Sequence, residues 1–509
     1  MDVHAIGPLL DDYIPIVLAA TATPGATVAI ADARGIFYSR AFGSANLADG
    51  TMLAPASVLH GGSLSKMCVA TAVLQLFERG EIDIHEPISR YLRDIDVSNP
   101  LGERAITAYD LLTHQSGLAT DTIDATLTPP ADLATHLASG YKASHTPEYH
   151  GVWPRWVCRV GEHFNYSTFG IATLGQLVAE ANPAGASFTQ FLGDNVFAPL
   201  GMTSSVIPPN YTSEGTPSDI LSRMATGYAQ FGPQCVPTPV IHSATYPGTA
   251  LLTTAEDYVR LLLALMEGGR LGGTQILGEG ITQSMLTPQR NIEMAGRVLP
   301  DIYTGLGVDI RNTGCDDFVF GHRGGYPFGW WAEARAYPRL GFAIVVMANV
   351  WDLVNWFNPA DRIAPGLIAE FVVRSALDAA SVSYSPPSSP QRQASYTMGL
   401  LLAERIRALL GADELLDPAM VSALASDARP LTPLLGPDSW DAAAFAAGAT
   451  AINNFEPRPE TLKAFLDSDA CLVHPDLLAL YAFSFGSRRP RSVMPHPHYG
   501  YGPRQEPGA

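Results

Sequence analysis

Apolar residues recur in short, β-branched runs near both ends of the first 350 residues. Ala26–Ile30 and Ile36–Phe42 are two such runs, separated by an Asp-Ala-Arg-Gly stretch that is typical of a hairpin turn. Farther along, Trp330–Tyr337 and Gly341–Ala348 meet at a Pro-Arg-Leu-Gly turn. The pattern predicts that the chain starts with strands and that a second hairpin closes this region.

A helical periodicity fills the space between the hairpins. From Ser63 to Arg79 apolar residues cover nearly the whole circumference of a helix, and Gly80 is placed to end it, so this helix is predicted to be buried. Strands at both ends with helices between them predict one antiparallel sheet, closed by distant segments and packed against a helical region. Further helical patterns occupy Tyr109–Thr113, Thr168–Ala181 and Ala255–Gly268.

The composition changes after this region. Residues 381–390 are rich in Ser and Pro, which is typical of an extended linker, so we expect a main domain at 1–378 and a linker at 379–394. Helical patterns then return, and residues 395–485 are predicted to form a small helical C-terminal module. The tail at 486–509 combines arginines with many Pro and Gly residues and is expected to be disordered.

The net charge of the chain limits the classes of partner that it is expected to bind. Hydrophobic residues make up 47% of the 509 positions and charged residues 16%, which is the profile of a well-buried globular protein. The 31 Lys and Arg against 49 Asp and Glu give a net charge of -18, which repels nucleic-acid phosphates and anionic lipids. We therefore expect neither a nucleic-acid nor a membrane partner.

The N-terminal residues, the length of the apolar runs and the spacing of the cysteines indicate where the protein is located and whether it binds a metal. The first 20 residues carry no Lys or Arg, and no apolar run approaches the roughly 20 residues that span a bilayer, so we expect a soluble, cytoplasmic protein. The five cysteines are scattered without the spacing of metal ligands. Neither a metal site nor a disulfide framework is expected.

Lysine is rare in this chain, so a mechanism that requires a lysine has few candidates. Of the three lysines, Lys66 follows Ser63 by three positions, and side chains at i and i+3 share one face of a helix. A buried lysine amine can lose its proton and then accept that of the serine, which makes the serine a nucleophile. Ser139 and Lys142 repeat the spacing, but their segment contains glycine and opens no apolar helix, so we interpret it as a chance match.

The segment Gly61–Lys66 resembles the nucleophile segment of class C β-lactamases, family VIII esterases and D-aminopeptidases. The resemblance implies an α/β serine-hydrolase fold of the α+β type, in which an antiparallel sheet is flanked by helices and the site lies between the sheet and an all-helical region. It covers roughly residues 5–375. Further landmarks of the family, in order, are Ile106–Leu118, Phe197–Met202, Thr253–Asp257 and Tyr303–Gly307.

The second catalytic element of this family is a Tyr-x-Asn, which aligns with Tyr166-Ser167-Thr168. The resemblance implies that Tyr166 relays a proton near Lys66, although a tyrosine taken alone is more often a packed aromatic residue. Thr168 replaces the asparagine, and we expect it to contact substrate with one hydroxyl. The loss of the amide argues against efficient β-lactam hydrolysis.

The third element is commonly Lys-Thr-Gly, which this chain lacks. Before the last hairpin stands His322-Arg323-Gly324-Gly325, which resembles the His-x-Gly variant found in D-aminopeptidases. The resemblance implies that His322 is catalytic, that Gly324 lets the backbone approach substrate, and that the N–H groups of Gly325 and Ser63 form the oxyanion hole. The alternative for His322 is an ordinary turn residue.

An aromatic cluster follows this element directly. Its rings either form an apolar rim that selects hydrophobic acyl groups, which would place Tyr326 and Phe328 against substrate, or pack within the sheet. The other two rings of the cluster are Trp330 and Trp331.

His114 and His163 remain candidates for a Ser-His pair, but no Gly-x-Ser-x-Gly turn presents another serine.

These observations together predict a serine hydrolase that acts on a small-molecule ester, amide or peptide through a covalent acyl-enzyme on Ser63. Lys66, Tyr166 and His322 would move protons or bind charge, and no cofactor is implied. One alternative is an acyltransferase, including a peptide-cyclising enzyme. Another is a catalytically idle binding protein whose C-terminal module mediates self-association or docks a partner.

Overall fold

The computed structural model describes residues 6–119, 125–145, 155–231, 234–294, 297–312, 318–326 and 329–352, together with a few single positions including Ile368, Ala369 and Val372. The expected linker at 379–394, the helical module at 395–485 and the tail at 486–509 lie outside the described residues. The boundary at 378 therefore stays a prediction.

A nine-stranded antiparallel sheet forms the centre of the described structure, with the strand order β14-β15-β16-β17-β18-β19-β1-β2-β3. Strand β1 pairs with β2 on one side and with the distant β19 on the other, so the sheet is closed by segments from both ends of this region, as predicted. The sheet strands are β1 (Gly25–Asp32), β2 (Gly35–Asn46), β3 (Thr51–Met52), β14 (Arg290–Met294), β15 (Arg297–Thr304), β16 (Asp309–Asn312), β17 (Phe318–Tyr326), β18 (Trp330–Tyr337) and β19 (Phe342–Ala348).

Short strands outside the sheet connect its edges to the helical region. Strand β4 carries the residues just before Ser63 and pairs with β11, with Gly62 opposite Leu251. These strands are β4 (Leu59–Gly62), β5 (Leu118–Ala119), β6 (Ala125–Thr126), β7 (Arg155–Trp156), β8 (Tyr228–Phe231), β9 (Gln234–Pro237), β10 (His242–Ser243), β11 (Leu251–Thr253), β12 (Arg270–Leu271), β13 (Thr274–Gln275) and β20 (Val350–Asp352).

Helices cover both faces of the sheet. Helix α8 packs on β1, β18 and β19, and α2 lies between the sheet and α5. The predicted helices are confirmed with small shifts of their ends, and β18 has the predicted bounds. The helices are α1 (Gly7–Ala20), α2 (Ser65–Glu78), α3 (Ala108–Leu112), α4 (Leu133–Ser144), α5 (Thr168–Ala181), α6 (Phe188–Leu192), α7 (Ser218–Ser222), α8 (Ala255–Met266) and α9 (Glu279–Met285).

Two apolar cores result from this layering. The larger one lies between the sheet and the helical region and includes the buried face of every turn of α2. The smaller core lies on the other face of the sheet, where α1 packs with Ile368, Ala369 and Val372. The expectation that the chain starts with strands was wrong, because α1 precedes β1: Leu10, Ile14 and Val17 recur at helical spacing and are buried against the sheet.

Candidate active site

Ser63 lies at the end of β4, two residues before the first residue of α2, so the predicted helix start was slightly early. Lys66 is in the first turn of α2, and its Nζ lies 2.9 Å from Ser63 Oγ. The Lys66 side chain is completely buried, whereas Ser63 is partly exposed. The structure thus brings together the two residues that the motif predicts, with the serine on the open side.

Burial sets the protonation of Lys66. Removal from water lowers the pKa of the amine from 10.5 to about 7, while the negative charge of Asp309 acts in the opposite direction. Nζ also donates a hydrogen bond of 2.8 Å to the carbonyl of Gly248. A neutral amine has two N–H groups and one lone pair, so it can donate to Gly248 and still accept a proton from Ser63.

The Gly248 carbonyl is presented by a 3-10 turn, Tyr246–Gly248, that packs on α5. A Cβ atom at Gly175 would lie 2.4 Å from Pro247, so glycine at this position of α5 makes room for the turn. Thr168 is the first residue of α5 and is almost completely buried, and a Cβ atom at Gly248 would lie 3.1 Å from its methyl carbon. Thr168 therefore supports the turn that holds Lys66, and its expected contact with substrate stays a prediction.

Tyr166 lies between Lys66 and two histidines. Its ring centroid is 4.8 Å from Lys66 Nζ, 4.6 Å from the ring of His114 and 6.2 Å from the ring of His322. Ser63, Lys66, Tyr166 and His322 therefore lie close together near the end of β4. The amine of Lys66 lies over the face of the tyrosine ring, and the proton relay expected of Tyr166 stays a prediction.

His114 holds the Tyr166 segment through two backbone contacts. Its carbonyl accepts from the N–H of Asn165 at 2.7 Å, and its Nδ1 accepts from the N–H of Ser167 at 3.1 Å. Because Nδ1 is an acceptor, the neutral ring carries its proton on Nε2. Burial lowers the pKa of His114 well below 6.5, so the ring stays neutral. The contacts of His114 thus hold the backbone on both sides of Tyr166.

His322 is on β17 and is buried. Its Nδ1 donates a 2.6 Å hydrogen bond to the carbonyl of Arg323, which leaves Nε2 as an acceptor in the neutral ring. Burial lowers the pKa of His322, against the opposing charge of Asp309. The third motif therefore contributes a neutral imidazole where many family members carry a lysine.

Glycines bring the third motif into backbone contact with the nucleophile segment. A Cβ atom at Gly324 would lie 1.9 Å from the carbonyl oxygen of Gly61, and one at Gly62 would lie 2.7 Å from the carbonyl oxygen of Gly325. Gly62 also has a φ of 54°, which favours glycine. Any larger residue at Gly324 or Gly62 would separate β17 from the residue that precedes Ser63.

The aromatic residues after this motif pack inside the structure. Tyr326 is 2% exposed, and its ring stacks on His60 with centroids 4.1 Å apart. Trp330 and Trp331 are also buried. This placement fits the packing alternative and not a substrate-facing rim for Tyr326, while Phe328 lies outside the described residues.

The second Ser-x-x-Lys copy was expected to open no apolar helix, so that its serine and lysine would lack a shared rigid face, and the expected absence of that face was wrong. Ser139 and Lys142 both lie in α4, which Asp132 caps by accepting from the N–H of Thr135. Both side chains are exposed, in contrast to the completely buried Lys66. His163, the other candidate for a Ser-His pair, has its Nδ1 3.0 Å from Glu293 Oε2.

Sequence reasoning missed Asp309 and Gly248. Asp309, at the start of β16, is half-buried and influences the charge of both Lys66 and His322. Neither residue belongs to a motif, and their approach to Lys66 depends on the sheet register and on the docking of a turn.

Within the described part of the chain, no group of three or more His, Cys, Asp or Glu side chains is arranged to hold a metal ion, and no helix is long and apolar enough to cross a membrane.

The sequence of this chain is similar to those of several curated proteins. Penicillin-binding protein 4 of Amycolatopsis lactamdurans is 27% identical over 259 residues, which are 50% of this chain and 62% of that protein. The chain spans less than two thirds of the length of the curated relatives that it matches first.

Two solved structures share the fold. The octameric penicillin-binding protein homologue from Pyrococcus abyssi superposes with a TM-score of 0.60 at 21% identity, covering 80% of this chain and 82% of the other. The D-amino acid amidase from Ochrobactrum anthropi SV3, complexed with D-phenylalanine, gives a TM-score of 0.55 at 19% identity, covering 74% and 100%. The antiparallel sheet with flanking helices is thus the fold that the motifs implied. The Beta-lactamase family model matches residues 10–365, and the chain therefore belongs to the beta-lactamase family of serine hydrolases.

Proposed function

We propose that this chain hydrolyses a small ester or amide through an acyl-enzyme on Ser63. The observation that carries the proposal is the contact of a completely buried Lys66 with Ser63, at 2.9 Å. A lysine with a pKa of about 7 is largely neutral at slightly alkaline pH and can act as a base. Ser139 and Lys142 are exposed and not buried like Lys66, which supports Ser63 as the nucleophile.

The proposed reaction has two steps. Lys66 accepts the proton of the Ser63 hydroxyl while Oγ forms a bond to the substrate carbonyl carbon, which gives a tetrahedral oxyanion. The proton then passes through Tyr166 to the leaving alcohol or amine as its bond to carbon breaks. In the second step water attacks the acyl carbon, the same groups move its proton to Ser63 Oγ, and the acid is released.

The tetrahedral oxyanion requires hydrogen-bond donors that are fixed before reaction. We assign this role to the backbone N–H groups of Ser63 and Gly325. The close contact between the backbones of Gly61–Gly62 and Gly324–Gly325 supports the assignment, because it holds the two donors on adjoining strands.

Charge around the site favours a neutral or cationic substrate. The third motif supplies the neutral His322, and the charge of the neighbouring Arg323 is engaged by Glu333, with Nε and Oε2 3.6 Å apart. Asp309 adds a negative charge within range of Lys66. A substrate carboxylate, such as that of a penicillin, would gain little here, so we favour small esters and amides over β-lactams.

Covalent labelling tests the proposal directly. A fluorescent fluorophosphonate should label the wild-type protein and the Ser139→Ala variant but not Ser63→Ala. Turnover is then measured with short-chain p-nitrophenyl esters, nitrocefin, and D- and L-phenylalanine amide, since a D-amino acid amidase shares the fold. An unlabelled wild-type protein would support the idle binding protein, whereas labelling at another residue would reject Ser63.

Product analysis separates hydrolysis from acyl transfer. Incubation of the ester with an added amine or alcohol should give the free acid as the main product if the chain is a hydrolase. A predominance of the amide or of the new ester would establish the acyltransferase alternative.

A further inference from the structure

A buried histidine that belongs to none of the catalytic motifs lies three positions before Ser63. The Nδ1 atom of His60 accepts a hydrogen bond of 3.0 Å from the backbone N–H of Gly62. The Nε2 atom lies 2.6 Å from the hydroxyl of Tyr211. Because Nδ1 is occupied as an acceptor, the neutral ring carries its proton on Nε2 and donates it to Tyr211.

The protonation of His60 is fixed by its surroundings. The residue is 1% exposed, and burial lowers its pKa to about 3, so the ring remains neutral under physiological conditions. Tyr211 is itself held in place, since its backbone N–H donates to Nδ1 of His242 at 3.1 Å and the two rings stack. His60 is therefore kept in a single tautomer that can accept from Gly62.

The ring of His60 also reaches the strand that carries the third motif. It stacks on Tyr326 at an interplanar angle of 17°, and Tyr326 directly follows Gly325 on β17. The hydroxyl of Tyr326 donates to the carbonyl of Ile241 at 3.2 Å, which fixes that ring. The imidazole of His60 thus contacts Gly62, which precedes Ser63, through its Nδ1 edge. It contacts Tyr326, which follows Gly325, through its ring face.

We propose that His60 is a positioning residue that sets the distance between the two backbone donors of the oxyanion hole. The inference rests on the proposed function. Gly62 has a left-handed φ of 54° and lies against the backbone of Gly325. A small rotation of Gly62 would move the N–H of Ser63 relative to that of Gly325, and the hydrogen bond to His60 resists that rotation.

The substitutions His60→Phe and His60→Asn separate the two contacts. Phenylalanine keeps the stack on Tyr326 but offers no acceptor to Gly62, whereas asparagine can place its Oδ1 near the position of Nδ1 but loses the stack. Tyr211→Phe removes the acceptor that fixes the tautomer. Tyr141→Phe is a matched control, because Tyr141 is also buried and its hydroxyl lies 2.9 Å from that of Thr173, in α4 and not against the nucleophile segment.

The assay measures kcat and KM with a p-nitrophenyl ester, the inhibition constant of phenylboronic acid, and the melting temperature. The boronic acid forms a tetrahedral adduct with Ser63 and reports on oxyanion binding. Removal of a whole oxyanion donor typically costs about 100- to 1,000-fold in kcat, so a displaced donor should cost about 10- to 100-fold in His60→Phe, with KM nearly unchanged. Boronate affinity should fall in parallel.

His60→Asn should recover part of that loss, and Tyr211→Phe should lose a smaller factor than His60→Phe. Tyr141→Phe should lower the melting temperature with kcat unchanged. The proposal is overturned if kcat in the folded His60 variants matches that of Tyr141→Phe, or if kcat falls while boronate affinity stays at the wild-type value. If His60→Phe does not fold, the comparison of Tyr211→Phe with Tyr141→Phe decides. Wild-type protein without esterase activity or labelling would instead reject the proposed function.

Discussion

Raising the pH through neutrality should switch on the acylation of Ser63, because only the unprotonated amine of Lys66 can accept the serine proton. Burial lowers the pKa of Lys66 from 10.5 to about 7. At pH 8 about 90% of the amine would then be neutral, compared with about 0.3% for a lysine at its ordinary value. The shift corresponds to a free-energy penalty on the charged form on the order of 5 kcal/mol.

The charge of Asp309 predicts the direction in which the apparent pKa of Lys66 should move when that charge is removed. Asp309 favours the ammonium form of Lys66, so Asp309→Asn should lower the apparent pKa and move the acid limb of the rate profile to lower pH. A displacement of about half to one pKa unit would raise acylation at pH 6 by about two- to fivefold. Glu81→Gln is the control, since it neutralises an exposed carboxylate and should leave the limb in place.

The measurement is kcat/KM for a p-nitrophenyl ester between pH 5 and 9, which reports the pKa values of the free enzyme. Background hydrolysis is subtracted with the Ser63→Ala variant. A profile that is flat across this range, or an acid limb above pH 9, would show that Lys66 is not the base. A limb that moves to higher pH in Asp309→Asn would contradict the electrostatic argument alone.

Three further perturbations address the other parts of the site. Ser63→Ala should abolish turnover and leave the melting temperature intact, whereas Ser139→Ala should have the activity of wild type in the same ester assay. His322→Ala should slow acylation by about 10- to 1,000-fold in stopped-flow measurements, and a slight effect would reduce the residue to a turn position. Gly175→Ala gains about 1 kcal/mol of helix propensity but forces a 2.4 Å approach to Pro247. The overlap should win, with a net destabilisation of about 1–2 kcal/mol in urea unfolding; a stabilised variant would show that the turn yields freely.

The sheet could be predicted from the sequence because its strands carry strong local patterns. The runs at Ala26–Ile30 and Trp330–Tyr337 alternate or are β-branched, and they become β1 and β18. Helix α1 was not predicted, although Leu10, Ile14 and Val17 have helical spacing. Pro15 lies inside this helix, where a proline normally disfavours helical backbone.

The site was predicted as far as its motifs extend. Ser63 and Lys66 are close in sequence, and the turn that leads into α2, with a 3.0 Å hydrogen bond from the N–H of Lys66 to the carbonyl of Ser63, places them together. The contact of Lys66 with Gly248 and the influence of Asp309 depend on long-range packing, which local patterns do not encode. The burial of Tyr326 similarly depends on its partner His60, which is 266 positions away in the chain but pairs with it across the core.

The antiparallel pairing of β1 with β19 also constrains how the molecule forms during synthesis. Ala26 lies opposite Ala348, so the inner edge of β1 has no partner until over three hundred further residues have left the ribosome. Ser63 and Lys66 are synthesised early but Gly325 late, so a nascent chain carries the proposed nucleophile before it carries the strand with the second proposed oxyanion donor. Until β19 is synthesised, β1 therefore keeps an open strand edge that must be shielded from aggregation.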